Sequence, residues 1–137
     1  MIDIFEGPLP LEEIARAVES PRHGAIVTFT GVVRGTARGK QIEYLEYQAY
    51  RPMAISEMEA IAAEVLDRWD VPCAMAHRVG RLEVGEASIA IAVASPHRKI
   101  AFEACHYAID RVKKSVPIWK KEVATDGSWW VEDPVVS

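Results

Sequence analysis

Apolar and polar positions along the chain follow two periods, and the switches between them mark out most of the elements. GAIVTFTGVVR, 24–34, is dense in β-branched and aromatic residues and predicts the clearest strand. IDIF, 2–5, predicts a short strand, and Leu11 to Glu19 a short helix whose first turn holds Glu12 and Glu13, where the helix dipole favours acids. RGTARGK, 34–40, predicts an exposed turn leading into a strand, QIEYLEYQAY, 41–50; its tyrosines at 44, 47 and 50 break strict alternation and imply a bulge or a change of face. From Pro52 to Trp69 the period lengthens, and Met58, Ile61, Ala62, Val65, Leu66 and Trp69 fall on one stripe of a helix, the longest amphipathic one expected.

Further on, CAMAHRVGRLEVGEASIAIAVAS, 73–95, divides at Gly85-Glu86 into two strands. The second is so continuously apolar that it belongs at the centre of a sheet. Ser95-Pro96 predicts an N-cap followed by proline at the first helical position. The helix expected from about Pro96 to Lys114 places Ala101, Cys105, Ala108 and Val112 on one face. Pro117 ends it, because proline has no amide proton and disfavours a helical residue before it. PIWKKEVA then returns as an extended segment, and SWWVE follows the Asp126-Gly127 turn as a last short strand. Elements in this irregular order predict an α+β fold with mostly antiparallel sheet and about three helices, residues 1–137 forming one domain.

Composition narrows the functional classes. A chain of 137 residues can bury roughly two-thirds of the surface its unfolded form exposes, so neither disulfides nor a structural metal are needed for stability. Cys73 and Cys105 stand far apart and outside any C-x-x-C spacing, which indicates buried thiols rather than a zinc site or redox pair. The segment MIDIFEGPLPLEEI lacks the basic-then-apolar pattern of a signal peptide, and no apolar run reaches membrane-spanning length, so a cytoplasmic protein is expected. A net charge of -4 argues against a general nucleic-acid coat. An anion site must then be local.

Three stretches could build one. KKSVPIWKKE, 113–122, holds four of the six lysines. Lys113 belongs to the last turn of a helix, where the dipole favours a cation, whereas Lys120 and Lys121 on an extended segment face opposite sides, so one of them at most shares a pocket with Lys113. A close Lys113–Lys120 pair would depress the lysine pKa and supply a proton donor or acceptor nearer neutrality; a solvated loop is the plainer alternative. SPHRK, 95–99, puts His97, Arg98 and Lys99 in a first helical turn, where cations oppose the dipole unless an anion such as a phosphate is bound; simple exposure to water is again the alternative. Arg34, ending the strongest strand, suits a carboxylate or phosphate, or merely guards an edge. His77-Arg78, His23 and His106 show no metal-ligand spacing, and there is no G-x-S-x-G or Walker-type loop.

Taken together, GAIVTFTGVVR, LEYQAYRPMA, HRVGRLEVGE, SPHRKIAFEA and VKKSVPIWKKE resemble the large, catalytic subunit of molybdopterin synthase, in the family's order from Gly24 to Glu122. The resemblance implies an α/β-hammerhead type of fold and a sulfurtransferase of molybdenum-cofactor biosynthesis with no metal or redox cofactor. It implies a homodimer carrying two copies of a small ubiquitin-like partner, a heterotetramer in all. The partner's C-terminal thiocarboxylate would supply sulfur to cyclic pyranopterin monophosphate (precursor Z), forming the dithiolene of molybdopterin. By motif, Lys113 and Lys120 fall on the catalytic lysines, and Arg34, His97 and Arg98 on substrate-binding positions. Ile109, where some relatives carry methionine, and the short tail after Trp130, without a basic residue, depart from the family's pattern. A noncatalytic module that binds an anion or a partner's tail is the alternative from another class.

Overall fold

The computed structural model describes residues 1–131. Along the chain run β1 (Ile2–Phe5), α1 (Leu11–Arg16), β2 (Ala25–Val32), β3 (Thr36–Ala37), β4 (Lys40–Ala49), α2 (Arg51–Trp69), β5 (Cys73–Arg78), β6 (Gly80–Glu83), β7 (Ala87–Ser95), α3 (Arg98–Ser115), β8 (Ile118–Ala124) and β9 (Gly127–Trp130). They make the expected α+β fold: three helices and two sheets in which β1 against β5 is the parallel pair.

The first sheet has the order β1-β5-β7-β2. Its central strand, β7, explains the unbroken apolar run ASIAIAVAS. Ile89, Ile91 and Val93 point to one face, where Met58, Ile61 and Val65 of α2 and Ala104, Cys105 and Ala108 of α3 cover them. Ala90, Ala92 and Ala94 point to the other, under Leu9, Ile14 and Val18 in and around α1. Large residues meet the long helices and small ones admit the short helix, so both faces are apolar with different volumes. Each fully buried isoleucine stabilises this packing by about 2 kcal/mol.

The second sheet has the order β3-β4-β8-β9, with β6 also paired to β4. The hairpin from β3 to β4 turns through Arg38 and Gly39, both at positive φ (52° and 76°), which matches the strand twist of a tight two-residue turn. A register shift between Ile42 and Tyr44 supplies the expected bulge and puts Ile42, Leu45 and Tyr47 together in the interior.

Several boundaries differ from the sequence reading. Residues 73–95 form three strands, not two, because Gly80, at φ 93°, lets the chain leave the first sheet after Arg78 and join the second as β6. Leu66 is 55% exposed, off the buried stripe of α2. Past Arg16, α1 tightens into short turns, Val18 N–H to the Ala15 carbonyl and Glu19 N–H to that of Arg16. Ser95 is not an N-cap: it completes β7 opposite Ala25 and its hydroxyl donates to the His97 carbonyl, so α3 starts at Arg98 after His97. Val116 is extended, as the residue before Pro117 should be, and turns the chain from α3 into β8. Glu132, included in the expected last strand, lies outside the described residues. No helix among them is long and apolar enough to cross a membrane.

Candidate active site

Where α3 ends and β8 begins, the turn at Pro117 brings Lys113 and Lys120 into one cleft of about 200 Å³. Lys113 comes from the last turn of α3. Lys120 stands directly opposite Tyr47 in the β4–β8 pair, which puts both side chains on the same face of the sheet. Val112, Val116, Pro117 and Ile118 give the cleft apolar walls, and His77 of β5 reaches it from the first sheet. A smaller recess, also lined by Lys113, Lys120 and Tyr47, includes Arg34 and Glu122.

Strand alternation sorts the remaining lysines. Lys121 faces away, opposite Trp130, with Nζ 5.9 Å from that ring's centroid. It is therefore half-covered by an aromatic rather than fully solvated. Lys114 is exposed on α3. The four-lysine cluster thus resolves into one pair inside and two residues outside.

Burial holds Lys113 below the ordinary lysine range, and the charge of Lys120 adds to the effect. For Lys120 burial again dominates; Glu122 opposes the lowering, while Arg34 and Arg38 reinforce it. Desolvation rather than mutual repulsion is thus the larger cause at both. Glu122 itself, 5% exposed, accepts 2.8 Å hydrogen bonds at Oε1 from Arg38 Nη1 and Trp129 Nε1. Its Oε1 is committed to these donors, and its charge moderates the positive field at Lys120 from a distance rather than through a direct bond.

His97 and Arg98 lie elsewhere. Both are exposed at the start of α3, and fifteen residues of helix separate Arg98 from Lys113, roughly 22 Å of axial rise. A single chain therefore brings together Lys113, Lys120 and Arg34, but not the histidine-arginine pair. The start of α3 carries no acid in its first turn and no side-chain cap, which leaves its amides and Arg98 facing solvent.

Sequence reasoning missed Tyr47, His77 and Glu122 as parts of this site. Tyr47 could have been found from the bulge that turns it inward; His77 and Glu122 carry no local signal, because their roles arise from contacts between sheets. His77 is 4% exposed, stacks edge-on against Tyr47 at 5.1 Å, and has Nδ1 2.8 Å from the Arg78 carbonyl oxygen. Burial pushes its pKa down to about 4; the bond to Arg78 opposes this and Lys113 adds to it. Burial likewise pushes the thiol of Cys105 up to about 11 and that of Cys73 to about 12, so both are protonated packing residues at neutral pH.

Two half-buried ammonium groups, an exposed arginine nearby and apolar walls define a class of protein: an α+β fold with a cationic cleft of the kind that can hold an anion and stabilise negative charge. The chain belongs to the family described as MoaE protein, whose profile matches residues 4–115. It is 48% identical over 132 residues to the molybdopterin synthase catalytic subunit of Bacillus subtilis (strain 168), covering 96% of this chain and 84% of that one. The crystal structure of molybdopterin synthase from Staphylococcus aureus superposes with a TM-score of 0.93 at 42% identity, covering 95% and 96% of the two chains. A complex of subunits 1 and 2 of molybdopterin-converting factor from Helicobacter pylori 26695 matches with a TM-score of 0.77 at 25% identity, over 95% of this chain and 89% of that one.

Proposed function

We propose that this chain is the catalytic subunit of a molybdopterin synthase, which transfers sulfur from the C-terminal thiocarboxylate of a small ubiquitin-like partner to cyclic pyranopterin monophosphate. The observation that carries this reading is the Lys113–Lys120 pair, desolvated together in one cleft with apolar walls. The Helicobacter pylori relative is a two-subunit complex, which supports a partner of this kind.

In this reading the ammonium groups of Lys113 and Lys120 receive the anionic tail. The thiocarboxylate sulfur attacks the substrate side chain, a C–S bond forms, and the cyclic phosphate opens with its oxygen as leaving group. The lysines stabilise that oxygen as its charge grows, and their lowered pKa values make proton transfer at neutral pH less uphill. Water then cleaves the acyl–sulfur bond, returning the partner's carboxylate and leaving sulfur on the pterin. A second partner molecule delivers sulfur to the adjacent side-chain carbon, where the carbon-bound oxygen leaves protonated as water, and hydrolysis of the second acyl–sulfur bond completes the dithiolene. Arg34 binds the substrate's phosphate at the rim.

His97 and Arg98 join the same substrate if they come from a second copy of the chain, since one copy holds them a helix length away. A homodimer at the centre of a heterotetramer meets that requirement. The test combines purified protein, thiocarboxylated partner and cyclic pyranopterin monophosphate and measures dithiolene product. Product formation that Lys113→Ala abolishes, while the complex with the partner persists, supports the reading; binding without any product from the unaltered protein makes the chain a binding module instead.

A further inference from the structure

Among the described residues, His77 has one ring nitrogen in use and one free. The Arg78 carbonyl oxygen can only accept, so Nδ1 carries the proton and Nε2 keeps its lone pair. The one sealed side-chain nitrogen or oxygen lacking a partner among the described residues is Arg78 Nε. Nε2 of His77 has no partner among the described residues either and is not sealed, and His77 lines the cleft it shares with Lys113.

An acceptor at this place has a particular value. A carboxylate beside Lys113 would orient the ammonium but cancel its charge, and would compete with any incoming anion. Glu122, the carboxylate on the Lys120 side, is bound at Oε1 by Arg38 and Trp129. A neutral imidazole orients without cancelling, and its burial against Tyr47 keeps it from turning away.

We propose that His77 is the positioning residue for Lys113: the two line one cleft without a direct bond in the unliganded chain, and when the partner's anionic tail enters, Nε2 takes one N–H of the ammonium and aims the others at the tail, leaving the positive charge undiminished. The inference rests on the sulfur-transfer reading above and assigns it a residue outside the lysine and arginine set. Facing Lys113 besides His77 are Lys120 and Glu122 of β8, Tyr47 of β4 and Arg34 after β2. Its own helix contributes Lys114 and Asp110. Removing an acceptor from the ammonium destabilises its charged form, so the pKa of Lys113 falls further when Nε2 is lost.

The experiment separates the two ring nitrogens in the complete two-subunit enzyme. His77→Asn keeps an amide N–H near Nδ1, and so the bond to Arg78, but removes the acceptor. His77→Gln carries a carbonyl oxygen near Nε2 and gives up the bond to Arg78. Asn is expected to lower kcat about tenfold or more, with KM for the partner little changed, whereas Gln stays within about threefold of the unaltered protein. The limb of the pH–rate profile that reports Lys113 moves to lower pH in the Asn variant and stays in place with Gln. A histidine that only supports the fold gives the reverse order, fast Asn and slow Gln; that order, or two variants alike, overturns the proposal. A second measurement needs no change at position 77. ¹⁵N NMR of the imidazole should show Nδ1 protonated and an Nε2 resonance that shifts when Lys113→Met removes the donor. The opposite tautomer, or an Nε2 signal indifferent to that substitution, also overturns it. Failure of the unaltered enzyme to form product counts against the sulfur-transfer reading, and the NMR result then decides the role of His77 by itself.

Discussion

Lys113→Met should separate catalysis from stability in opposite directions. Methionine matches the length of the lysine stem and lacks its charge. In the folded protein burial, with help from Lys120, holds the Lys113 pKa below its ordinary value of 10.5. A base whose folded pKa is lowered binds its proton less tightly folded than unfolded, so at neutral pH the charged lysine opposes folding. Methionine removes that opposition. Tm at pH 7 should therefore rise by a few degrees, each kcal/mol being worth about 4 °C in a domain of this size. The advantage should shrink as pH climbs through the folded-state pKa of the parent and disappear above about 10.5, where the lysine is neutral in both states. Turnover should move the other way. Lys113 borders the main cleft, the recess beside Arg34 and the groove between β2 and α3. Losing one fixed donor aimed at developing negative charge lowers rates about 10²- to 10³-fold. Thermal melts of both proteins between pH 6 and 11, with product formation at pH 7, check both arms. A methionine variant that melts lower at every pH would refute the desolvation argument, and turnover within about threefold of the parent would refute the catalytic role.

Other outcomes follow from the same contacts. Glu122→Ala strips Oε1 from Arg38 and Trp129 and should lower stability by about 2–3 kcal/mol in urea unfolding; it also removes the group that supports the ammonium of Lys120, so an unchanged or raised Lys120 pKa would count against the assignment. His77 must charge when the protein unfolds in acid, since its pKa rises from about 4 to about 6.5. Stability should therefore fall by about 3 kcal/mol between pH 6.5 and 4 through this residue, and His77→Gln should flatten the slope. Gly80→Ala puts a side chain at φ 93° where nothing crowds it, so the loss is backbone strain of about 1–2 kcal/mol, seen as a lower urea midpoint. Finally, an equal mixture of Lys113→Ala and His97→Ala proteins, each inactive alone, should recover about a quarter of full activity after subunit exchange if two copies share each site; no recovery would place His97 outside it.

Period and residue type were enough to read most of the elements of this protein. ASIAIAVAS announced a covered central strand, the stripe through Met58, Ile61 and Val65 a long helix, and Pro117 the end of another, because each depends on neighbours in sequence. The segments that match the family carried the activity, and alternation along β8 already required Lys120 and Lys121 to part company. What the chain decided only on folding depends on contacts between segments far apart. The break at Gly80 sends one apolar run into two sheets, and only then does His77 stack on Tyr47 and line a cleft with Lys113. Glu122 is an ordinary acid in sequence and becomes a buried acceptor because β9 and the Arg38 turn close over it. SPHRK and KKSVPIWKKE looked like parts of one anion site; the length of α3 holds them apart within a chain, and a helix cannot shorten to suit a motif.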